Sequence, residues 1–185
     1  MKLGFIGTGN ISSDVITGIC NSKISFKRIV VSPRNKQKAQ KLKKKFKRVS
    51  IAKSNQDVID KSDWVFLGVV PKVGEKILPR LNFKTNQTIV SFISTIDYAQ
   101  LKKIVKKKAK IVRAIPMPPI SLGKGPVPIF PPDKKVKNFF DKIGTTIEIK
   151  SEKLSKNFWA ISGSMASFYE LLKVLSDWLV KKKLK

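Results

Sequence analysis

At 185 residues and 42% hydrophobic content, the chain can bury one domain-sized core and carry a further appended element. Lys and Arg number 39 against 12 Asp and Glu, a net charge of +27, with no histidine and a single cysteine, Cys20. Histidine-based acid–base catalysis and an intrachain disulfide are thereby excluded, a metal site is not expected, and a reducing cytoplasm is the expected setting.

No apolar stretch approaches the roughly 20 residues that span a bilayer, so no membrane association is expected. The basic excess raises nucleic acid as a partner, but only five of the 39 are arginines, Arg28, Arg34, Arg48, Arg80 and Arg113. Specific nucleic-acid readers lean on arginine. The lysines spread over helix faces, with small clusters at 43–45, 106–108 and 181–183. Nucleic acid is therefore the weaker expectation, and a diffuse positive field suits recruitment of a polyanionic cofactor.

In chain order, Leu3–Ile6 followed by Gly7-Thr8-Gly9-Asn10-Ile11-Ser12 predicts a buried strand, a tight turn and a helix. The helix start faces the turn, where unpaired N–H groups and the helix dipole can hold a pyrophosphate. Gly7 would make the turn and Gly9 would let the backbone approach phosphates, while Ser12 stands in place of a third glycine. Ile11, Val15, Ile16 and Ile19 mark one face of the helix. Strands are predicted at Arg28–Ser32 and Val49–Ala52, with a lysine-rich helix to about Phe46 between them. Ser54, with Asp57 three residues on, predicts a capped helix. Trp64–Val70 reads as a central strand, stopped by Pro71, which opens the next helix.

Strands at Thr88–Ile93 and Lys110–Ile115 flank a helix bearing Tyr98, Leu101, Ile104 and Val105. The stretch from Pro116 to Gly125 is expected to be irregular, and the prolines in Pro126–Phe130 suggest a strand at the sheet edge. A helix from about Asp133 to Ile143 and a strand Thr145–Ile149 complete the alternation. Such regular alternation implies a Rossmann-like, doubly wound and mainly parallel α/β sheet.

After it, Leu154, Phe158, Ile161, Met165, Phe168, Leu172, Leu175 and Leu179 follow a heptad seam, broadened by Leu171, Val174 and Trp178. A helix burying residues 154–179 against a second subunit is expected, with folding back on its own domain as the alternative. Gly163 within it marks either a close approach or a break between two helices.

In a dinucleotide-binding fold the end of the second strand meets the adenosine ribose, where an acidic residue suits a free 2′-hydroxyl. Here that strand ends Ser32-Pro33-Arg34. A hydroxyl and a guanidinium suit a 2′-phosphate, so NADP(H) is favoured over NAD(H).

Seven segments in order resemble the pyrroline-5-carboxylate reductase family along essentially the whole chain. They are Gly4–Ile11, Ser32-Pro33-Arg34, Asn55, Asp63–Pro71, Ser91–Thr95, Arg113–Pro119 with Gly123 and Gly125, and Ser162-Gly163-Ser164. The resemblance implies a dinucleotide-binding domain over 1–150 and the start of a helical dimerisation domain over 151–185. It implies NADPH-dependent reduction of the C=N bond of 1-pyrroline-5-carboxylate, a small cyclic imine, to L-proline. For the cofactor it implies Ile6, Gly7, Thr8, Gly9, Asn10, Ile11, Ser32, Arg34, Asn55, Val69, Val70, Pro71 and Ser94. For the substrate it implies Ser162, Gly163 and Ser164, with Glu152 and Ser164 as the catalytic positions. Because a cyclic imine can arrive protonated, the missing histidine is compatible with this chemistry.

The sequence departs from the family at Val70 (lysine), Met117 (asparagine) and Met165-Ala166-Ser167 (Gly-Pro-Ala). It is also expected to be short of the family's later helices. The alternative expectation is a non-catalytic NADP-binding module that dimerises through its last helix.

Overall fold

The computed structural model describes residues 1–106 and 109–182, apart from the side chains of Lys156, Trp159, Ala160, Ile161, Ser162 and Ala166. The expected lysine clusters at 106–108 and 181–183 therefore lie partly outside the described residues, as does the side chain of Ile161 in the expected seam.

The opening apolar run forms β1 (Lys2–Ile6), which lies inside the sheet rather than at its edge. In chain order follow α1 (Asn10–Asn21), β2 (Arg28–Val31), α2 (Lys36–Lys45), β3 (Val49–Ile51), α3 (Asn55–Asp60) and β4 (Trp64–Leu67). Next come α4 (Pro71–Ile77), β5 (Thr88–Ser91), α5 (Tyr98–Val105), β6 (Lys110–Ala114), β7 (Pro126–Phe130), α6 (Lys134–Phe140), β8 (Thr145–Glu148) and α7 (Glu152–Lys181). The strand order is β3-β2-β1-β4-β5-β6-β7-β8, parallel except where β7 runs against β6. This is the Rossmann-like arrangement that the alternation implies.

Successive residues of the central strands face opposite sides, and both sides are apolar, as a doubly covered sheet requires. Phe5, Phe66 and Val112 pack with Val15, Ile16 and Ile19 of α1 and Val136 and Phe140 of α6. Ile6, Val65, Leu67 and Ile89 pack with Val58 and Ile59 of α3 and Leu101 and Val105 of α5 on the other. Phe5 and Phe66 stack with ring centroids 4.5 Å apart at the middle of the first layer.

Two expectations need correction. The segment after Pro116 is not wholly irregular: Pro118–Leu122 winds a 3₁₀ turn whose Ile120 is fully buried against α1. The β7 strand is not a sheet edge either, since it lies between β6 and β8. Its prolines are tolerated for a geometric reason. The Pro128 carbonyl accepts from Ile115 N–H on the β6 side, so the missing proline N–H also points that way. The residues alternating with the prolines serve β8, where the Gly125 and Ile129 carbonyls accept from Thr145 and Ile149 N–H, so the β8 ladder loses no donor.

The chain divides into two compact units, Met1–Glu152 and Lys153–Lys185. In the second unit, α7 continues through Gly163 without a break. A Cβ at Gly163 would meet nothing within 4 Å, so among the described residues no close approach accounts for this glycine. Phe168, Leu171, Leu172, Val174, Leu175, Trp178 and Leu179 are all exposed along it.

Candidate functional site

The strand order reverses between β1 and β4, because β1 leads on to β2 and β4 leads on to β5. Both strands end at the same edge, and the crevice beyond such a switch point is where open α/β sheets bind ligands. A groove of about 580 Å³ opens there, bounded by Gly7, Thr8 and Gly9 on one side and Gly68, Val69 and Val70 on another. Arg34, Asn35, Lys36 and Gln37 form its basic wall.

The glycines do different work. Gly7 has φ +98°, and a Cβ on it would come 2.4 Å from the Gly68 carbonyl oxygen, so both conformation and space demand glycine. A Cβ on Gly9 would find its nearest neighbour 3.7 Å away, at ordinary backbone angles of φ −73° and ψ −174°. Among the described residues no close neighbour requires glycine at that position. A ligand pressed against the backbone would require it.

Gly9 is also the N-cap of α1, and no side chain caps that helix. The first helical bond is from Ser13 N–H to Gly9 O at 3.0 Å, which leaves the N–H groups of Asn10, Ile11 and Ser12 with no partner inside the helix. The first turn carries no acidic residue to compete for them. The Thr8 hydroxyl, 2% exposed and without a hydrogen-bond partner, lies in the same loop. Such a cradle is built for an anion. Ser12 is fully buried, and a Cβ on Gly68 would stand 2.0 Å from its hydroxyl, so a small side chain here brings α1 close to the end of β4.

Ser32 differs from expectation. It is 1% exposed, and its hydroxyl oxygen accepts the Gly7 N–H at 2.9 Å. Its role in the structure is to hold the glycine turn from below, and Arg34 presents the charge. The Asn10 amide oxygen accepts from the Lys38 ammonium, which ties the start of α1 to α2. Asn35 caps α2 by accepting from Lys38 N–H at 3.1 Å.

The other cofactor positions are dispersed along the strand ends. Ile6 is the buried last residue of β1, and Ile11 is half-buried in the first turn of α1. Val69 and Val70 line the groove; Val70 is 65% exposed, and Pro71 is the first residue of α4. Asn55 is the half-buried first residue of α3 and is not among the residues lining this groove. Ser94 follows β5, and its carbonyl accepts from Arg113 Nη2 at 2.7 Å.

Glu152 also differs from expectation. Its carboxylate pairs with the 2%-exposed guanidinium of Arg113 and accepts the Tyr98 N–H at 2.8 Å, at the start of α5. This oxygen is held inside an ion-paired network. Burial lowers the Arg113 guanidinium from its ordinary value, and the carboxylate opposes that shift. Of the substrate positions, the Ser162 side chain lies outside the described residues, and Gly163 and Ser164 are exposed on α7 in the second unit.

Asn35, Lys36, Gln37 and Gly68 line the groove without having been singled out as site residues in the sequence. Lys36 is indistinguishable by composition from its lysine-rich neighbours, whereas Gly68 could have been found as the glycine that interrupts the longest apolar run. Burial pushes the half-buried Cys20 thiol up to about 11, which disfavours its thiolate form. Among the described residues no group of three or more His, Cys, Asp or Glu could hold a metal ion, and no helix is long and apolar enough to cross a membrane.

Residues 2–95 match the family model described as NADP oxidoreductase, coenzyme F420-dependent. Pyrroline-5-carboxylate reductase 3 of Danio rerio is 30% identical over 128 residues, 68% of this chain and 44% of that protein. Pyrroline-5-carboxylate reductase of Staphylococcus haemolyticus is 28% identical over 181 residues, 91% of this chain and 65% of that protein. The chain thus spans from under half to about two thirds of these relatives' lengths. A solved 1-pyrroline-5-carboxylate reductase from Streptococcus pyogenes superposes with a TM-score of 0.83 at 27% identity, covering 100% of this chain and 72% of that one.

Proposed function

Because the chain belongs to the pyrroline-5-carboxylate reductase family of NADP oxidoreductases, we propose that it binds NADP(H) in the β1–β4 groove and reduces a small cyclic imine. The substrate that its relatives suggest is 1-pyrroline-5-carboxylate, with L-proline as the product. The observation that carries the proposal is the Gly9 position: a helix start with no side-chain cap, where no close neighbour among the described residues accounts for the glycine and a ligand pressed to the backbone would.

The residues present fit such a dinucleotide. The N–H groups of α1 and the Thr8 hydroxyl would hold the pyrophosphate, and Arg34 with Lys36 would hold a 2′-phosphate. The bound dinucleotide supplies the hydride. The chain's task is then to orient the two partners and exclude water, because an imine that arrives protonated needs no enzyme acid. Val69 and Val70 give an apolar wall beside the reacting end. Gly163 and Ser164 of α7 are proposed to bind the substrate carboxylate, in the cytoplasm and in a homodimer formed through the exposed apolar residues of α7.

NADPH oxidation in the presence of synthetic 1-pyrroline-5-carboxylate tests the activity. Tight NADPH binding with no turnover would instead favour a non-catalytic NADP-binding module. Arg34→Ala should weaken NADPH by about tenfold or more while leaving NADH nearly unchanged, since one charge-assisted phosphate contact contributes about 1.5–3 kcal/mol. Equal weakening of the two would refute the 2′-phosphate role.

A further inference from the structure

Arg113, the penultimate residue of β6, is almost completely buried, and the sequence alone assigned it no task. Its two terminal nitrogens reach different places. Nη2 donates to the Ser94 carbonyl, and Nη1 pairs with the Glu152 carboxylate. The same Glu152 oxygen accepts the Tyr98 N–H at the start of α5, where Asp97 already forms a reciprocal capping box with Gln100. The ion pair therefore holds the segment between β5 and α5 at two points, Ser94 through the guanidinium and Tyr98 through the carboxylate.

That segment is not remote. Strands β4 and β5 are parallel and register Leu67 opposite Ser91, so residues after Ser91 emerge beside Gly68, Val69 and Val70 at the same sheet edge. Ile93 and Ile96 also pack toward Gly74 of α4, the helix that Val70 caps. We propose that Arg113 and Glu152 are a positioning pair that fixes the 92–97 segment as a wall of the groove's reacting end, and that Glu152 is not the proton donor. The inference rests on the NADP-dependent imine reduction proposed above and assigns a task within that site.

The electrostatics favour a device over a mere staple. A buried ion pair contributes little net stability compared with apolar residues of similar volume, whereas breaking it from one side is costly. Arginine suits the task because its planar fork aims separate nitrogens at two acceptors in fixed directions, whereas a lysine ammonium is a compact, rotatable point charge.

The test uses the full-length protein in four variants, E152Q, R113K, R113M and the double variant R113M/E152M. Turnover, NADPH affinity, melting temperature and amide exchange are measured on each. In E152Q and R113M, kcat should fall by about tenfold to a hundredfold, the range that misplacement of a positioning element produces. The KM for NADPH and the shape of the pH profile should stay unchanged, and the amides of residues 94–98 should exchange faster. R113K keeps the charge without the fork and should not rescue kcat. The double variant should recover melting temperature but not kcat.

Recovery of kcat together with melting temperature would overturn the proposal and leave the pair as a stabilising contact alone. Loss of a pH limb in E152Q with unchanged exchange at 94–98 would overturn it in favour of Glu152 as the acid. If the wild type reduces no imine, it is the proposed reaction that fails. Amide exchange then still decides the pairing: NADPH-dependent protection of 94–98 that vanishes in R113M supports it, and protection that persists sinks it.

Discussion

Gly7 and Gly9 sit two residues apart in one turn and should fail in opposite ways. Gly7→Ala forces a side chain into a left-handed conformation, at about 1–2 kcal/mol, and drives it into the Gly68 carbonyl. Its melting temperature should drop. Gly9→Ala fits the unliganded protein and should melt within a few degrees of the wild type, since losing the glycine N-cap costs less than about 1 kcal/mol, yet bind NADPH at least about tenfold more weakly, because a methyl group would hold the phosphates off the N–H groups. Thermal melts with NADPH titrations separate the two, and unchanged affinity in Gly9→Ala would remove the pyrophosphate from this turn. The glycine turn was legible in the sequence because strand, turn and helix start are contiguous. Ser32 and Glu152 were not, because their partners, Gly7 and Arg113, are distant in the chain and are brought to them only by folding. A residue's type gives what it can bond, and sheet order decides what it meets.

Among the elements, α3 has the clearest local logic. Ser54 accepts the Asp57 N–H at 3.1 Å, and Asp57 accepts from Lys53 N–H and the Lys61 ammonium. The return bond thus reaches the residue before the cap, one position earlier than a standard capping box. Ser54→Ala should cost about 1 kcal/mol. The Lys61 side-chain bond, aided by Lys53, lowers the Asp57 carboxyl from its ordinary range. A carboxyl lowered on folding contributes stability that is fully present above about pH 3.9 and is lost as pH falls through its folded value. Melting curves of Asp57→Asn and wild type should therefore differ at neutral pH and converge in acid, the gap shrinking with salt because the pair is near the surface. Caps and apolar periodicity made most elements legible with ends off by a few residues. Trp64–Val70 was read too long as a strand, since β4 ends at Leu67 and Gly68 turns against Gly7. The position of β7 was misjudged because proline was read as an edge signal, when its missing donor points to β6 and leaves the β8 ladder intact.

For the whole molecule, charge and apolar surface act against each other. Two copies each carrying +27 repel, while the exposed leucines and tryptophan of α7 favour association by about 1.5–3 kcal/mol for each fully buried large side chain. The proposed dimer should therefore strengthen as salt rises and should be lost in Leu172→Lys/Leu175→Lys. Sedimentation across a salt series reads both effects. A complex with nucleic acid would show the opposite salt response, weakening steeply as counterions are restored. Dimerisation that weakens with salt, or that survives the double lysine variant, would exclude α7 as the interface.

The place of β1 in the sheet also bears on how the chain is made. It leaves the ribosome before both of the strands that flank it, β2 and β4, and the second of these follows only after α1, β2, α2, β3 and α3. Throughout that interval one side of an apolar strand has its backbone donors and acceptors unmet, a template to which a neighbouring nascent chain could add. The lysine-rich segment emitted meanwhile gives each nascent chain a like charge that keeps such neighbours apart. On this view part of the basic excess serves the protein before it has a site to fill.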